Sequence, residues 1–287
     1  MELSVSLFVE AVVAIIPVGI VIMVKRDRCR DSCLGVRSTA RGRKFDAGYR
    51  AYIYGSYEHV LGGSFPASVS ALAPRKYYLL NLIRRCFPPA KNSVILEIGC
   101  GHGALIHFAR QAGYRNIEGV DASLGQVNAA RNLGIGEVRL MDAMAELETR
   151  DSGSVDAIVA IDLLEHHTKE EVWALACEVF RVLRKNGKWI IHVPNAESPF
   201  GMAVVYGDFT HEIAFTCASL NQLCRASGFS GIECHDDCPV VHGLASMVRF
   251  LAWKMIRGLM RMLLAIETGD AGRRRVLSRN LIAVAVK

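Results

Sequence analysis

Three acidic residues and a glycine-rich turn stand where short apolar runs of the sequence end. Glu97 lies in the first run and is followed by the turn Gly99-Cys-Gly-His-Gly103, Asp121 lies 22 positions after Gly99, and Asp142 ends a third run. Glycine lets the backbone approach a ligand that a β-carbon would repel. A carboxylate at Asp121 can accept two hydrogen bonds from a ribose diol and would repel a 2′-phosphate. With Asp142 as an acceptor for an adenine amino group and Glu97 as a partner for an ammonium group, this set predicts a site for an adenosyl amino acid rather than a dinucleotide.

Histidines supply candidate acid–base chemistry later in the chain. His166 and His167 follow a fourth apolar run, and His211 follows a fifth. If the group acted upon is an alcohol, a base must remove its proton. We expect His211 to be that base or a ligand of the acceptor, with Asp208 orienting it, and His166 to be the second candidate. The structural alternatives are a loop histidine bonded to backbone for His211 and a helix-start residue for His166, since imidazoles serve structure equally well.

The nine cysteines form neither a disulfide framework nor a metal motif. Their odd number and scattered positions favour a reducing compartment, so we expect buried thiols and a cytoplasmic protein. If residues 1–24 are an anchor, the basic cluster Lys25-Arg26-Asp27-Arg28 places the protein at the cytoplasmic face of the membrane. Cys234, His235, Cys238 and His242 carry groups that bind metals, but their spacing matches no zinc pattern and no second cysteine pair completes it. The sequence therefore predicts no metal site.

The elements that must position these residues alternate between strands and helices. Short apolar runs predict seven strands, at 93–98, 116–120, 137–141, 155–161, 188–193, 231–234 and 281–286. Helical periodicity predicts helices at 104–112, up to 131, and at 169–183 and 220–227. This alternation predicts an α/β fold with a mostly parallel seven-stranded sheet covered on both faces. Ligands bind such sheets at the carboxyl ends of the strands, where the candidate residues lie.

The sequence resembles the class I S-adenosylmethionine-dependent methyltransferases over about residues 90–235, with a final strand at 281–286. Glu97-Ile-Gly-Cys-Gly-His-Gly103 is similar to the first motif of the family, Gly119-Val-Asp-Ala-Ser123 to the second, and Met141-Asp-Ala143 to the third. Asp156-Ala-Ile-Val-Ala-Ile-Asp-Leu-Leu-Glu-His166 resembles the fourth. Val182-Leu-Arg-Lys-Asn-Gly-Lys188 departs from the usual Pro-Gly-Gly turn, at a position remote from the cofactor.

The resemblance implies a Rossmann-like three-layer sandwich and S-adenosyl-L-methionine as the cofactor. The cofactor contacts that it implies are Glu97, Gly99, Cys100, Gly101, Asp121, Asp142, Asp162 and Leu163. Asp162 and Leu163 would edge the methionine part, and Cys100 would contribute only its backbone. For each carboxylate the structural alternative is a helix cap or a solvated loop acid.

The two ends of the chain differ in composition from its middle. The chain is 51% hydrophobic with a mean hydropathy of +0.23, too apolar for an ordinary soluble enzyme and too polar for a multi-span membrane protein. Residues 1–24 contain 18 apolar residues, residues 25–44 and 245–287 carry net charges of +6 and +7, and residues 45–244 carry −5. A mildly acidic body is therefore flanked by two basic ends.

From these differences we divide the chain into four parts. They are a candidate membrane anchor at 1–24, a basic linker at 25–48, an N-terminal helical lid at 49–92 and a methyltransferase domain at 93–287 with a helical insertion at about 245–268. Glu10 and Pro17 count against the anchor, for which the alternatives are an over-long translated start and an apolar helix lying against the body. Residues 246–266 predict a basic amphipathic helix that either contacts an anionic membrane surface or packs on the core with its basic edge in solvent.

Three short segments with a weaker resemblance to known methyltransferases indicate a methyl acceptor. Asp208-Phe-Thr-His211, Glu267-Thr-Gly269 and Asn280-Leu-Ile-Ala-Val284 resemble methyltransferases associated with bacterial surface-polysaccharide assembly. The leading hypothesis is therefore O-methylation of a sugar or lipid-linked glycan. The alternatives are methylation of a quinone precursor or other lipophilic small molecule, and a membrane-tethered cofactor-binding module without an acceptor site. We expect no nucleic-acid partner, because the body is acidic and the basic ends lack interleaved aromatic residues.

Overall fold

The computed structural model describes residues 49–50, 53, 65–270, 272 and 275–287. The chain divides into two units after Gly48. The candidate anchor at 1–24 and the basic linker at 25–48 make up the first unit, which lies outside the described residues. The elements below all belong to the second unit.

Seven strands form a single sheet. They are β1 (Val94–Ile98), β2 (Asn116–Asp121), β3 (Val138–Leu140), β4 (Val155–Ile161), β5 (Leu183–Pro194), β6 (Ile232–Asp236) and β7 (Asn280–Val286). The order across the sheet is β3-β2-β1-β4-β5-β7-β6. The first five strands are parallel to one another, and β7 runs antiparallel to both β5 and β6. The prediction of a mostly parallel seven-stranded sheet is confirmed.

Helices cover both faces of this sheet. They are α1 (Lys76–Cys86), α2 (Ala104–Gln111), α3 (Leu124–Asn132), α4 (Ala143–Thr149), α5 (Lys169–Val182), α6 (Met202–Val205), α7 (Cys217–Ala226) and α8 (Leu244–Thr268). Two short 3₁₀ helices, Val69–Arg75 and Leu164–His166, complete the described elements. Helix α8 lies between β6 and β7, which confirms the predicted insertion before the last strand.

Two apolar clusters, one on each face, hold the layers together. In β1, the side chain of Ile95 belongs to the cluster with α1, α2 and α3, whereas the neighbouring Leu96 belongs to the cluster with α4, α5 and α7. Both side chains are completely buried. Strands that are buried on both faces do not alternate between apolar and polar residues, so their sequences are continuous apolar runs.

The strand order reverses direction beside β1. From β1 the chain first moves outward to β2 and β3, and then returns to β4 on the other side of β1. The loops that leave β1 and β4 therefore diverge and open a crevice at the carboxyl ends of the strands. This crevice lies next to Gly99 and Asp162.

A disulfide joins Cys217, at the start of α7, to Cys234 in β6. The expectation of thiols throughout is therefore wrong at these two positions. The sequence separation of 17 residues did not reveal that α7 and β6 pack side by side, which is what brings the two sulfurs within bonding distance. Cys86, Cys100, Cys177, Cys224 and Cys238 are free thiols.

Helix α8 turns most of its apolar residues outward. A stripe of residues at helical spacing is half-buried against the body, and this stripe consists of Phe250, Trp253, Arg257, Met260, Arg261 and Leu264. The opposite side is exposed and consists of Val248, Leu251, Met255, Leu259, Met262, Leu263 and Ile266. Arg257 in this stripe is not a solvated basic residue, because its guanidinium donates to Asp236 Oδ2 at 2.6 Å. None of the helices among the described residues is long and apolar enough to cross a membrane.

Candidate active site

The glycine turn after β1 has the backbone conformation that only glycine adopts without strain. Gly99, Gly101 and Gly103 have φ angles of +68°, +55° and +77°. A β-carbon at Gly99 would lie 2.8 Å from Leu163 Cδ1, and one at Gly103 would lie 2.9 Å from Val138 Cγ2. The turn is therefore closely covered, and Leu163 from the loop after β4 lies over it.

Glu97 is a buried carboxyl group without a full set of partners. The residue is 3% exposed, and its Oε2 has no hydrogen-bond partner within the described part of the chain. Burial raises the pKa of Glu97 from its ordinary value of 4.5 to about 8, with Arg75 acting in the other direction. An unsatisfied buried carboxyl beside a glycine turn fits a ligand that brings a positive charge, because such a ligand would restore the ionised form.

Asp121 organises the turn from the end of β2. Its Oδ2 accepts the Gly101 N–H at 2.8 Å and its Oδ1 accepts the Ser123 N–H at 2.8 Å. Burial raises the pKa of Asp121 above its usual value, and the two backbone hydrogen bonds oppose this shift. Each oxygen still has a second lone-pair position, so the carboxylate can hold the turn and accept from a diol at the same time.

Asp142 has a structural role as the N-cap of a helix. Asp142 caps helix α4, where its Oδ1 accepts the N–H groups of Met144 at 2.9 Å and Ala145 at 3.1 Å. The alternative of a helix cap therefore holds for Asp142, and its other oxygen takes no part in the cap.

Cys100 is buried, and burial raises the pKa of its thiol well above the usual range. A thiol held neutral in this way does not act as a nucleophile.

An ion-pair cluster around the buried His192, which the sequence did not predict, extends the site from β4 to β6. Asp162 Oδ1 lies 2.6 Å from Nδ1 of His192 in β5, and Asp237 Oδ2 lies 3.3 Å from Nε2 of the same ring. Burial of His192 favours its neutral form, but the two carboxylates outweigh burial and raise its pKa to about 10. His192 is therefore an imidazolium at neutral pH. The signal in the sequence was a lone histidine within the apolar run that forms β5.

Asp162 is held in an uncommon conformation. Its φ is +51°, in the left-handed region, and the Asp162 side chain is 53% exposed at the end of β4. The charge of His192 lowers the pKa of Asp162 despite the opposing effect of burial. The predicted cofactor residue is thus an ionised carboxylate that is half exposed at the end of β4 and contacts His192.

The predicted catalytic histidines meet beside the crevice. His166, at the end of the 3₁₀ helix after β4, and His211, in the loop after β5, have ring centroids 4.6 Å apart. His211 Nδ1 lies 3.0 Å from the Val205 carbonyl oxygen, and His166 Nδ1 lies 2.8 Å from Thr210 Oγ1. Burial lowers the pKa of His166 to about 4, and the neighbouring His211 acts in the same direction. His166 is therefore neutral at physiological pH.

The structure places Asp208 differently from the sequence-based expectation. Its Oδ1 accepts from the Thr210 N–H at 2.8 Å and from the Thr210 hydroxyl at 2.7 Å. Asp208 therefore orients His166 through Thr210, whereas His211 is oriented by the backbone at Val205. These partners could not be predicted from the sequence. Asp208 and His211 are three positions apart in a turn, and the spacing does not determine which backbone or side-chain groups each of them contacts.

Backbone hydrogen bonds fasten the loop after β5 to the loop after β4. The Glu165 carbonyl oxygen accepts the N–H groups of Glu212 at 2.8 Å and Ile213 at 3.3 Å. The Glu165 side chain is buried, and its Oε2 lacks a partner among the described residues. One ligand atom each of Glu165, His166 and His211 lies within 4.8 Å of the others. Glu165 stands inside the quoted sequence motif, but nothing in its spacing alone indicated a function.

Comparisons with known proteins agree with this arrangement. Residues 95–187 match the family model described as a methyltransferase domain. No curated protein matches the chain in sequence.

Solved structures share the fold. A methyltransferase from Archaeoglobus fulgidus that depends on S-adenosylmethionine is 19% identical, with a TM-score of 0.56 over 82% of this chain and 99% of that one. A second such enzyme, from Thermotoga maritima, is 15% identical, with a TM-score of 0.52 over 82% of this chain and 97% of that one. Phosphoethanolamine N-methyltransferase 2 of Haemonchus contortus, solved with S-adenosyl-L-methionine, is 17% identical, with a TM-score of 0.53 over 82% of this chain and 60% of that one. At these identities the similarity is one of fold.

Proposed function

We propose that the chain, whose residues 95–187 match a methyltransferase domain, is an S-adenosylmethionine-dependent enzyme of class I that methylates a hydroxyl group of a sugar or lipid-linked glycan at a membrane surface. When bound, the cofactor supplies an electrophilic methyl group together with its own leaving group. The protein must therefore align the acceptor with that methyl group and exclude competing water.

Residues at the crevice fit the cofactor part by part. The buried carboxyl of Glu97 would hold the amino group, and Asp121 would hold the ribose diol across the glycine turn. Leu163 and Asp162 would border the methionine end. Glu97 Oε2, which has no hydrogen-bond partner among the residues that the structure describes and is buried beside a turn that β-carbons would block, is the observation that carries this assignment.

The acceptor would approach over the loop after β5. Phe209 and Tyr206 in this loop are 82% and 81% exposed. Phe200, at the start of the same loop, packs edge-on against Trp253 of α8, with ring centroids 6.4 Å apart. The loop that carries His211 is thus joined to the helix with the outward apolar face.

The outward face of α8 supports a lipid-linked acceptor. Met255 is 77% exposed and Ile266 is 75% exposed in the middle of this face. Arg249 and Lys254 are exposed, and at 100° per residue they flank it on opposite sides. An apolar face between cations suits the boundary between acyl chains and anionic headgroups. The same feature favours the second candidate function, methylation of a lipophilic quinone precursor.

One experiment separates the two acceptors and tests the membrane contact. The labelled methyl group of S-adenosylmethionine is followed into two acceptors presented in anionic vesicles, an undecaprenyl-linked sugar fraction and a quinone-precursor fraction. A short-chain, water-soluble version of each acceptor is assayed in parallel. We expect label in the glycan, and label in the quinone precursor alone would replace the first function by the second. Label in neither, with cofactor binding intact, would overturn the proposal.

Variants of α8 address the surface directly. Met255→Gln with Leu259→Gln should lower the rate on the vesicle-bound acceptor several-fold and leave the rate on the soluble acceptor unchanged. Trp173→Gln is the matched control, because Trp173 is 45% exposed on α5, outside the proposed surface. Equal rates of the α8 variant and the control on vesicles would contradict membrane contact through α8.

A further inference from the structure

The cluster formed by Glu165, His166 and His211 combines three groups that bind metals in proteins. These groups come from two loops, which the hydrogen bonds from Glu212 and Ile213 to the Glu165 carbonyl oxygen hold together. Their ligand atoms lie within 4.8 Å of one another. An ion about 2.1 Å from each ligand requires separations of about 3–3.5 Å, a difference within the reach of side-chain rotation. The backbone thus already brings the three groups to one place.

Hydrogen bonds fix both imidazoles in the form that a metal requires. The Val205 carbonyl can only accept, so His211 Nδ1 carries the proton and the lone pair is on Nε2. The Thr210 hydroxyl donates to Asp208, so its oxygen accepts from His166 Nδ1, and the lone pair of His166 is also on Nε2. Outer hydrogen bonds of this kind orient histidine ligands in metal sites.

The carboxyl group supplies the third ligand. Glu165 is 1% exposed, and its Oε2 has no hydrogen-bond partner among the described residues, although leaving a buried oxygen unsatisfied is costly. A metal ion would satisfy this oxygen. Two imidazole nitrogens and one carboxylate oxygen form a three-ligand set that leaves coordination positions open.

We propose that Glu165, His166 and His211 bind a divalent transition-metal ion whose open positions take the acceptor hydroxyl. The inference replaces the sequence-based expectation of no metal, and it deepens the proposed function on which the acceptor part rests. The cluster begins two residues after Leu163, which covers the glycine turn, so an acceptor on the metal lies beside the cofactor crevice. A bound cation lowers the pKa of a coordinated hydroxyl, whose proton then passes to solvent water. His211 would then act as a metal ligand rather than as the base.

Mn²⁺ binding tests the site without any acceptor. The electron paramagnetic resonance signal of free aqueous Mn²⁺ is followed as the full chain is added, and we expect about one bound ion per chain. Glu165→Gln and His211→Ala should weaken binding by at least about tenfold. His167→Ala is the matched control and should bind as the wild type does, because His167 Nδ1 lies 3.0 Å from the Leu163 carbonyl oxygen and outside the cluster.

A second pair of variants keeps the test sharp if a ligand substitution disturbs folding. Thr210→Val removes the hydroxyl that orients His166 and should weaken Mn²⁺ binding about tenfold, whereas Thr210→Ser should retain it. Calorimetry with S-adenosylmethionine shows which variants keep a folded cofactor site. No Mn²⁺ binding by the wild type at millimolar concentration would overturn the metal site, as would unchanged binding by Glu165→Gln with intact cofactor affinity. Mn²⁺ binding without label in the glycan would instead overturn the proposed acceptor and leave the metal site standing.

Discussion

Replacing Glu97 by glutamine should make the protein more stable and at the same time weaken its binding of the cofactor. In the folded chain the Glu97 carboxyl has its pKa raised from 4.5 to about 8 by burial. The folded state therefore holds a proton that the unfolded chain has lost, and stability falls as pH rises from 4.5 through 8. Ionisation of this group therefore stabilises the unfolded chain relative to the folded chain by about 3 kcal/mol at pH 7 and by about 5 kcal/mol at pH 9.

Glutamine keeps the size of the side chain and removes this titration. We expect Glu97→Gln to exceed the wild type in free energy of unfolding by about 3 kcal/mol at pH 7 and by more at pH 9, and to equal it near pH 4. Urea unfolding at these three pH values measures the difference. Glu233→Gln, at a side chain that is 84% exposed, is the control and should remain within about 0.5 kcal/mol of the wild type at every pH.

The same variant should lose its attraction for an ammonium group. Calorimetry at pH 7 should show an affinity of Glu97→Gln for S-adenosylmethionine at least about tenfold below that of the wild type, since a hydrogen bond to a charged group contributes about 1.5–3 kcal/mol. Unfolding curves of the two proteins that run parallel from pH 4 to pH 9 would refute the raised pKa. Unchanged affinity would refute the assignment of Glu97 to the cofactor.

Three further perturbations test other parts of the fold. His192→Gln removes the buried imidazolium beside the half-exposed Asp162 and should cost about 1.5–3 kcal/mol of stability at pH 6. Because the pKa of His192 is raised from 6.5 to about 10 in the folded chain, this cost should shrink as pH rises from 6.5 through 10. An equal cost in urea unfolding at pH 6 and at pH 10.5 would contradict the imidazolium. Cys217→Ser removes a disulfide of sequence separation 17 and should lower the free energy of unfolding by about 3 kcal/mol. The wild type in reductant should have the same free energy of unfolding as the variant. If reductant does not change the stability of the wild type, the bond does not contribute to it. Asp121→Ala should weaken S-adenosylmethionine binding at least about tenfold by calorimetry, whereas Asp156→Ala, at the opposite end of the sheet, should leave it unchanged.

The strands could be predicted from the sequence because burial on both sheet faces requires a continuous run of apolar residues. The run that ends at Ile161 was predicted at the same bounds as the observed strand, and the glycine turn after Ile98 was visible from its residue types. The structure brings Glu97 and Asp121 to the carboxyl ends of neighbouring strands, as the strand ends indicated, and Leu163, which the resemblance implied, lies over the glycine turn. Each strand and the glycine turn depend on residues that are close together in the chain, and the parallel arrangement of the strands then brings their carboxyl ends together.

Features that depend on long-range contacts were not predictable in the same way. Asp237 meets His192 only because β7 lies between β5 and β6 and aligns their ends, and the sequence does not specify that order. The pairing of Cys217 with Cys234 likewise needed the packing of α7 on β6. The outward orientation of α8 could not be read from its pattern, because a helix with one apolar side has the same sequence whether that side faces a core or another surface.

The left-handed backbone at Asp162 restricts the amino acids that can occupy this position during evolution. A φ of +51° disfavours β-branched and bulky side chains, and asparagine and aspartate tolerate it better than most residues other than glycine. Glycine would relieve the conformation but leave the buried His192 without its nearest carboxylate, and asparagine would keep the shape but not the charge. Glutamate would keep the charge but suit the backbone less well. Aspartate alone meets both demands, so this position has little freedom to drift, even in a chain whose acceptor specificity changes.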